Sequence, residues 1–132
     1  MLKNLDIKIY NEINDELESF WRSLEKKSSK FYFQTFKWQK YWYHQIRKYK
    51  KKTISTYVIV VKNEKEALLI LPFCIRKSLI FKILSWSGYP FSDYNIPLIN
   101  KNFDLSKDDF EFIWKKIIQK NDKDYNCILL EN

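Results

Sequence analysis

The chain has 132 residues, of which 45% are hydrophobic and 18% aromatic, which is enough for one globular domain with its own core. Its longest uninterrupted apolar run, 67–75, falls well short of the roughly 18 to 20 residues that a membrane-spanning helix needs. The amino terminus lacks the pattern of a signal peptide, so we expect a cytoplasmic protein. With one histidine, His44, and two separated cysteines, the common zinc-binding patterns are excluded and no metal site is expected.

The net charge is +8 and it is unevenly distributed. Ten basic residues and no acidic residue lie between Lys26 and Lys52. Lysines make up 21 of the 24 cations, whereas readout of nucleic-acid bases favours arginine. A solvated basic face is therefore the favoured interpretation. An anionic envelope polymer or membrane surface remains an open alternative, and nucleic acid is the least favoured partner.

The first third of the chain predicts a strand followed by two helices. Alternating apolar residues indicate a strand over 5–10, and Asn11 is a plausible cap for the helix that follows it. Thr35 is the predicted N-cap of a second helix, from Phe36 to about Tyr49. One face of that second helix is predicted to be buried, with Trp38, Tyr41, Trp42, Gln45, Ile46 and Tyr49 on it. The opposite face, which is expected to be exposed, carries Lys37, Lys40, His44, Arg47 and Lys48.

An antiparallel meander is predicted next, from three apolar segments at Ile54–Val61, Ala67–Ile75 and Leu79–Trp86. The breaks between them are polar, at 62–65 and 76–78. Proline cannot donate to a strand ladder, so we expect Pro72 to mark a bulge or an edge that opens a cleft. The following loop contains the single glycine, Gly88, and two of the three prolines, and the functional surface is expected there.

The last third predicts a helix capped by Ser106 and a buried final strand at 126–130. Cys74 and Cys127 both lie in apolar segments, which is typical of small buried thiols. The complete order is β-α-α-β-β-β-α-β, an α+β (mixed α/β) domain with three helices covering a mainly antiparallel sheet. Because the chain stops just after a core strand, we expect residues 1–132 to form one half of a longer two-domain protein.

Several short motifs occur in a fixed order along the chain. They are 21–25 (WRSLE), 33–38 (FQTFKW) with Trp42, 69–73 (LILPF) with Arg76, and Gly88 followed by 93–98 (DYNIPL). In this order they resemble the N-terminal half of the CelD/BcsL-like acyltransferases, two-domain members of the GNAT (N-acetyltransferase) superfamily related to the FemAB peptidoglycan aminoacyltransferases. The final segment, 126–130, is similar to the family's strand that begins with Asp, although Asn126 stands in that place here.

The resemblance implies a GNAT-like fold in which one half binds an acyl donor and the other helps to form the acceptor cleft. A donor site holds the coenzyme A pyrophosphate on closely approaching backbone N–H groups, which requires glycines. Gly88 is the single glycine and no Gly-x-Gly occurs, so this chain is expected to be the acceptor side. The acyl-CoA or aminoacyl donor would be bound mainly by a second GNAT-like domain after residue 132. The acceptor implied is a cell-envelope polysaccharide or a peptide-like molecule.

Five residues are candidates for the site. Asp93 could position, or accept a proton from, the attacking amine or hydroxyl, or it could form an Asx turn in its loop. Tyr94 and Trp38 could stack on the acceptor, with core packing as the alternative for Trp38. Gln34 could bind the acceptor or satisfy a loop backbone, and Arg76 could meet an anionic acceptor or be an exposed edge charge. The competing function is a non-catalytic module that binds an anionic polymer.

Overall fold

The computed structural model describes residues 4–29, 32–88 and 95–131. Within these ranges the chain forms three helices, six strands and a short 3₁₀ turn, Tyr32–Gln34. The helices are α1 (Asp15–Glu25), α2 (Phe36–Lys50) and α3 (Lys107–Asn121). The strands are β1 (Asp6–Tyr10), β2 (Ile54–Lys62), β3 (Ala67–Ser78), β4 (Phe81–Trp86), β5 (Leu98–Ile99) and β6 (Cys127–Ile128). None of the described helices is both long enough and apolar enough to cross a bilayer.

The strands form one sheet in the order β1-β2-β3-β4-β6, and β5 pairs with β3 off this path. All described pairings are antiparallel except β4 with β6, which run parallel. The long strand β3 has two different partners along one edge. Its first half pairs with β5 at Leu69 and Ile70, and its second half pairs with β4 from Phe73 to Ser78.

The helices cover both faces of the sheet. One core contains side chains of α1 and α2 packed on alternate residues of β2 and β3, including Trp21, Phe36 and Val58. The other core places α3 on the opposite face through Ile113 and Ile117. Because the central strands are covered on both sides, 57–61 and 67–75 are buried without interruption. The all-apolar run 58–61 therefore belongs to a strand in the interior of the sheet.

The predicted fold class and element order are confirmed, and the arrangement is consistent with a GNAT-like α+β fold. Two predicted helix caps are also confirmed. The side chain of Thr35 accepts a hydrogen bond from the backbone N–H of Trp38, and Ser106 forms a reciprocal capping box with Asp109. Sequence patterns missed the two-residue strand β5, which is too short to show any periodicity.

The turn between the second and third meander strands was predicted wrongly. Residues 76–78, interpreted as a polar break, continue β3 and pair with 81–83 of β4. The turn consists of Leu79 and Ile80 instead. Charged residues can stay in a strand here because this end of the hairpin extends beyond the core, where both faces are exposed.

Two helix predictions also need correction. The N-cap of α1 is Asn14 rather than Asn11, with its Oδ1 accepting a hydrogen bond from Leu17 N at 2.9 Å. Helix α2 is rotated from the predicted face, because Tyr41 and Tyr49 are exposed. The described residues of α2 that are buried are Phe36, Gln39, Trp42 and Tyr43, while the basic face and His44 are exposed as predicted.

Pro72 marks neither a bulge nor an edge strand. It pairs in register with Val58 of β2, and β3 is central in the sheet. The missing N–H of Pro72 breaks no ladder hydrogen bond, because Pro72 lies where β3 changes partner from β5 to β4. The Pro72 carbonyl accepts a hydrogen bond from Ser87 N at 2.9 Å, which joins the end of β4 to this point of β3.

The last strand is shorter and more exposed than predicted. Only Cys127 and Ile128 pair with β4, and Leu129 and Leu130 are exposed. Cys127 is an exposed thiol, contrary to expectation, whereas Cys74 is buried as expected. A short segment at a sheet edge buries little surface, however apolar its sequence is.

Candidate functional site

An open groove of about 760 Å³ lies along the first half of α2. Tyr32 and Tyr41 are 62% and 66% exposed, and Trp38 is half-buried between them and the core. The Trp38 ring is held edge-to-face against Phe33, with 5.2 Å between the ring centroids. The residues that line this aromatic groove are Arg22, Tyr32, Lys37, Trp38, Lys40, Tyr41 and His44.

The aromatic groove is cationic. Arg22, Lys37 and Lys40 are exposed, and none of the described residues lining the groove is acidic. Exposed rings bind the apolar faces of sugars and the cations attract acidic substituents, so the groove has the chemistry needed to hold an anionic polymer chain. The Arg22 guanidinium is also 3.1 Å from the Glu18 carboxylate, one turn back on α1, so part of its charge is already compensated.

The 3₁₀ turn beside the groove is fixed by buried side chains. The indole N–H of Trp21 donates to the Gln34 carbonyl at 2.9 Å, and Gln39 Nε2 donates to the Phe33 carbonyl at 2.7 Å. A carboxylate oxygen of Glu25 accepts from Phe36 N at the start of α2. These bonds position Tyr32 and Phe33 relative to Trp38, so the wall of the groove is built on a rigid base.

Buried amide and hydroxyl groups anchor the two ends of the segment that contains Asp93 and Tyr94. At one end the Ser87 hydroxyl donates to Gln39 Oε1 at 2.6 Å. At the other end Asn95 Nδ2 donates to the Glu131 carbonyl at 3.0 Å. Gln34 Nε2 lies 3.0 Å from the Ile96 carbonyl oxygen and holds the chain just after this segment. We call the four buried side chains the loop anchors: Gln34, Gln39, Ser87 and Asn95.

Of the five predicted site residues, Gln34, Trp38 and Arg76 lie within the described residues. Gln34 and Trp38 come from the same short stretch, but Trp38 lines the groove while Gln34 points inward to the backbone of 96–97. This contact matches the alternative in which Gln34 satisfies a loop backbone. Asp93 and Tyr94 lie outside the described residues.

Arg76 occupies a different place, at the far edge of the sheet. Its Nε donates to the Ser85 hydroxyl at 2.9 Å. Both residues line a small pocket of about 110 Å³ next to β6, together with Ile83, Trp86, Leu129 and Glu131. The pocket lies where β6 stops pairing with β4 after Leu84 and Ile128. Among the described lining residues, the Arg76 guanidinium and the Glu131 carboxylate are the charged groups, and most of the rest are apolar.

The buried groups between these regions are unsuited to proton transfer or nucleophilic attack at neutral pH. Burial raises the pKa of the Cys74 thiol, although the neighbouring Ser85 hydroxyl and Arg76 partly oppose this. Burial likewise raises the pKa of the Tyr43 hydroxyl well above its usual range, and this hydroxyl donates to the Phe73 carbonyl at 2.6 Å. Cys74 and Tyr43 are therefore structural parts of the core.

The backbone N–H groups at the start of each helix are the groups that a donor pyrophosphate would use. Each helix N-terminus is capped by the chain's own side chains: Asn14 for α1, Thr35 with the Glu25 carboxylate for α2, and Ser106 with Asp109 for α3. A pyrophosphate needs such N–H groups free. Gly88 has the positive φ of 87° that glycine permits, but it is buried. These caps use some of the N–H groups on which a pyrophosphate would lie.

Sequence reasoning missed three of the loop anchors and two rings of the groove. Gln39 and Ser87 belong to none of the motifs, and Asn95 lies in the 93–98 motif but was given no role. Their burial is what distinguishes them from other polar residues. Tyr41 was assigned to the buried face of α2, and Tyr32 was given no role. Within the described part of the chain, no cluster of three or more His, Cys, Asp or Glu side chains could bind a metal ion.

Comparison with known proteins gave no match: no protein family, curated protein or solved structure is significantly similar to this chain.

Proposed function

We propose that this chain is the acceptor-binding half of a GNAT-type acyltransferase that modifies an acidic cell-envelope polysaccharide or a peptide-like acceptor. The observation that carries the proposal is the aromatic groove, with three rings and three exposed cations but no carboxylate among its described lining residues. The ordered motifs, the α+β fold and the loop anchors support it.

Each part of the site has a role in this proposal. Tyr32, Trp38 and Tyr41 stack on the acceptor, while Lys37 and Lys40 attract its acidic groups. Gln34 holds the backbone that follows Asp93 and Tyr94, and so acts as a positioning residue. Asp93 orients the attacking amine or hydroxyl, and Tyr94 adds a contact to the acceptor. Arg76 meets a small anionic group at the sheet edge.

The donor would come from elsewhere. Because the described helix N-termini are already capped, we propose that acyl-CoA or an aminoacyl donor is bound mainly by a second GNAT-like domain after residue 132. Transfer would then be direct: the amine or hydroxyl of the acceptor bound by this chain attacks the acyl carbonyl and forms an amide or ester. The bond from the acyl group to its carrier breaks, and the coenzyme A thiol or the aminoacyl carrier's hydroxyl leaves with the proton that the acceptor gives up. We propose the cytoplasm as the site of action, which agrees with the free state of Cys74 and Cys127.

Acceptor binding can be tested by titrating the chain with an acidic oligosaccharide, such as oligogalacturonate, and with a neutral oligosaccharide of equal length. We expect the acidic chain to bind and Tyr41→Ala to weaken binding by about tenfold, the loss typical of one good stacking contact. Tyr49→Ala is the matched control, because Tyr49 is an equally exposed ring on α2 outside the groove. Equal effects of the two variants would contradict the proposed site.

Acyl transfer needs a separate test, in which the chain is combined with a second GNAT-like domain, labelled acetyl-CoA and the oligosaccharide. Asp93→Asn should lower transfer about 100-fold or more without weakening oligosaccharide binding, because a general base contributes about that much. Asp104→Asn removes an exposed carboxylate outside the groove and serves as the control. Micromolar binding of acetyl-CoA to the chain alone would overturn the assignment to the acceptor side.

A non-catalytic module for an anionic polymer is the second candidate, favoured by the same groove. The two functions differ in their products: the module would bind the oligosaccharide as tightly but never acylate it, whichever donor domain is added. A nucleic-acid ligand would instead lose affinity steeply with added salt. The exposed rings would contribute to its binding only by stacking on bases.

A further inference from the structure

The hairpin that joins β3 to β4 ends in large apolar side chains with no place in the core. Leu79 is fully exposed at 101%, Ile80 at 85% and Phe81 at 54%. Leu79 has a φ of 53°, a left-handed conformation that a two-residue hairpin turn normally gives to glycine or asparagine. A turn chosen only to reverse the chain would carry small or polar residues here. We call Leu79, Ile80 and Phe81 the hairpin tip.

Lysines surround the hairpin tip. The Lys77 backbone N–H donates to the Thr53 carbonyl at 2.7 Å, which brings the lysine run that ends α2 to the same end of the sheet. The Lys82 carbonyl accepts from Asn126 N at 2.8 Å, and Lys82 N donates to Asn126 Oδ1 at 2.7 Å, so the turn after α3 also lies there. The exposed lysines at this end are Lys50, Lys51, Lys52, Lys77, Lys82 and Lys123. Among the described residues, none of these six forms an ion pair.

Few acidic groups oppose these lysines. The carboxylates near this end are Glu12, Asp122, Asp124 and Glu131, which shares a pocket with Arg76 and Ile83. Asp124 already accepts a hydrogen bond from the Tyr57 hydroxyl at 2.7 Å. Moreover, Lys77 and Lys82 are directly paired across the two strands. Like charges in that position repel each other and weaken a hairpin unless an external anion lies between or beside them.

We propose that the hairpin tip is a membrane contact, which inserts into the headgroup region of a bilayer that contains anionic phospholipids. An apolar tip encircled by lysines matches the two parts of such an interface: the side chains reach the acyl boundary and the ammonium groups meet lipid phosphates. A second copy of the chain would bring the same uncompensated lysines together, so self-association fits less well.

This inference does not depend on the acyltransferase proposal. It uses the hairpin end of the sheet, whereas the aromatic groove lies at the first half of α2. The two proposals would be compatible if the acceptor polymer is assembled at a membrane, but either one can fail alone.

The test is flotation of the chain with vesicles of equal parts phosphatidylglycerol and phosphatidylcholine, and with vesicles of phosphatidylcholine alone. We expect association with the mixed vesicles at low salt, at least tenfold weaker association with phosphatidylcholine alone, and release by added salt. The key variant is Leu79→Gly combined with Ile80→Ser. It gives the turn residues that suit this geometry, so the fold is retained while the apolar tip is lost. We expect it to reduce association with the mixed vesicles at least tenfold.

A second pair of variants isolates the charge. Lys77→Gln with Lys82→Gln should reduce association several-fold. Lys101→Gln with Lys107→Gln removes the same charge from the opposite end of the sheet and should have little effect. The proposal would be overturned if the wild-type chain did not bind the mixed vesicles. It would also be overturned if the Leu79→Gly/Ile80→Ser variant bound them as well as wild type does. A concentration-dependent dimer that is lost in the Leu79→Gly/Ile80→Ser variant would also overturn it, because the tip would then be a self-association surface.

Discussion

The hydroxyl of Ser87 and the side-chain amide oxygen of Gln39 are 2.6 Å apart, and both residues are buried. This contact joins the end of β4 to α2 across the edge of the sheet. Gln39 Nε2 also binds the Phe33 carbonyl, so one side chain connects the start of the Asp93 segment to the wall of the aromatic groove. The anchoring of that segment and the shape of the groove are therefore physically coupled.

We predict that Ser87→Ala lowers the free energy of unfolding by about 1–3 kcal/mol, because Gln39 Oε1 is left buried without its donor. Urea denaturation measures this change. Ser19→Ala, at an exposed position of α1, should change stability by less than about 0.5 kcal/mol. A double-mutant cycle with Gln39→Leu should give a coupling energy of about 1 kcal/mol, and strictly additive effects would contradict the contact.

Gln34→Leu should loosen the chain after Asp93. Its Nε2 lies 3.0 Å from the Ile96 carbonyl oxygen and 3.4 Å from that of Pro97. Without this donor, amide hydrogen exchange should become faster around Asn95 and Leu98, while exchange in the centre of β2 stays slow. Oligosaccharide binding should weaken only modestly, since Gln34 does not line the groove. Complete loss of binding with unchanged exchange would restore Gln34 as a direct acceptor ligand.

Alkaline pH should destabilise the fold through its buried tyrosines. Burial raises the pKa of Tyr43 in the folded chain, and the pKa of Tyr57 is raised by burial and by its hydrogen bond to Asp124. Below about pH 10 these hydroxyls are protonated in both the folded and unfolded states, so their contribution to stability is complete. Above that pH only the unfolded chain ionises, and stability should fall by up to about 1.4 kcal/mol per pH unit for each such group.

Tyr43→Phe isolates one of these groups. At neutral pH we expect it to cost about 1 kcal/mol for the lost hydrogen bond to the Phe73 carbonyl. Above about pH 10 the difference from wild type should shrink, because the variant lacks that ionisable group. Urea denaturation midpoints, measured from neutral to alkaline pH, give both the cost of the substitution at neutral pH and its decrease at high pH. Tyr41→Phe, which alters an exposed ring, should follow the wild-type profile, and a constant difference for Tyr43→Phe would contradict the proposed cause.

The regular elements were accessible from sequence because burial and periodicity coincide in them. The run 58–61 has no polar residue and is central, and Thr35 and Ser106 are caps whose side chains bond to nearby backbone. Such signals are local, so a single sequence contains them. The same local reasoning selected Trp38 and Gln34 as candidates, because they belong to one short aromatic stretch.

The site itself depends on long-range contacts that leave no local trace. Gln39 and Ser87 are 48 positions apart, and Gln34 and Ile96 are 62 positions apart. The rotation of α2, which exposes Tyr41, is set by how Phe36, Trp42 and Tyr43 pack on the sheet, and the aromatic content of the helix made several rotations equally plausible. The polar residues 76–78 were interpreted as a turn for a similar reason, since composition does not show where a hairpin leaves the core.

Leu79→Gly alone should stabilise the protein. Leu79 holds a φ of 53°, which costs a residue with a branched side chain about 1 kcal/mol or more relative to glycine, and its side chain makes no compensating contact because it is fully exposed. Glycine adds flexibility to the unfolded chain, so we expect a net gain of about 0.5–1 kcal/mol, seen as a higher urea midpoint. Ser78→Gly is the matched control, because Ser78 lies in β3 without a positive φ, and it should destabilise by a similar amount. Equal destabilisation by both variants would mean that Leu79 is not strained, and the inference that the tip residues serve an external contact would lose one of its supports.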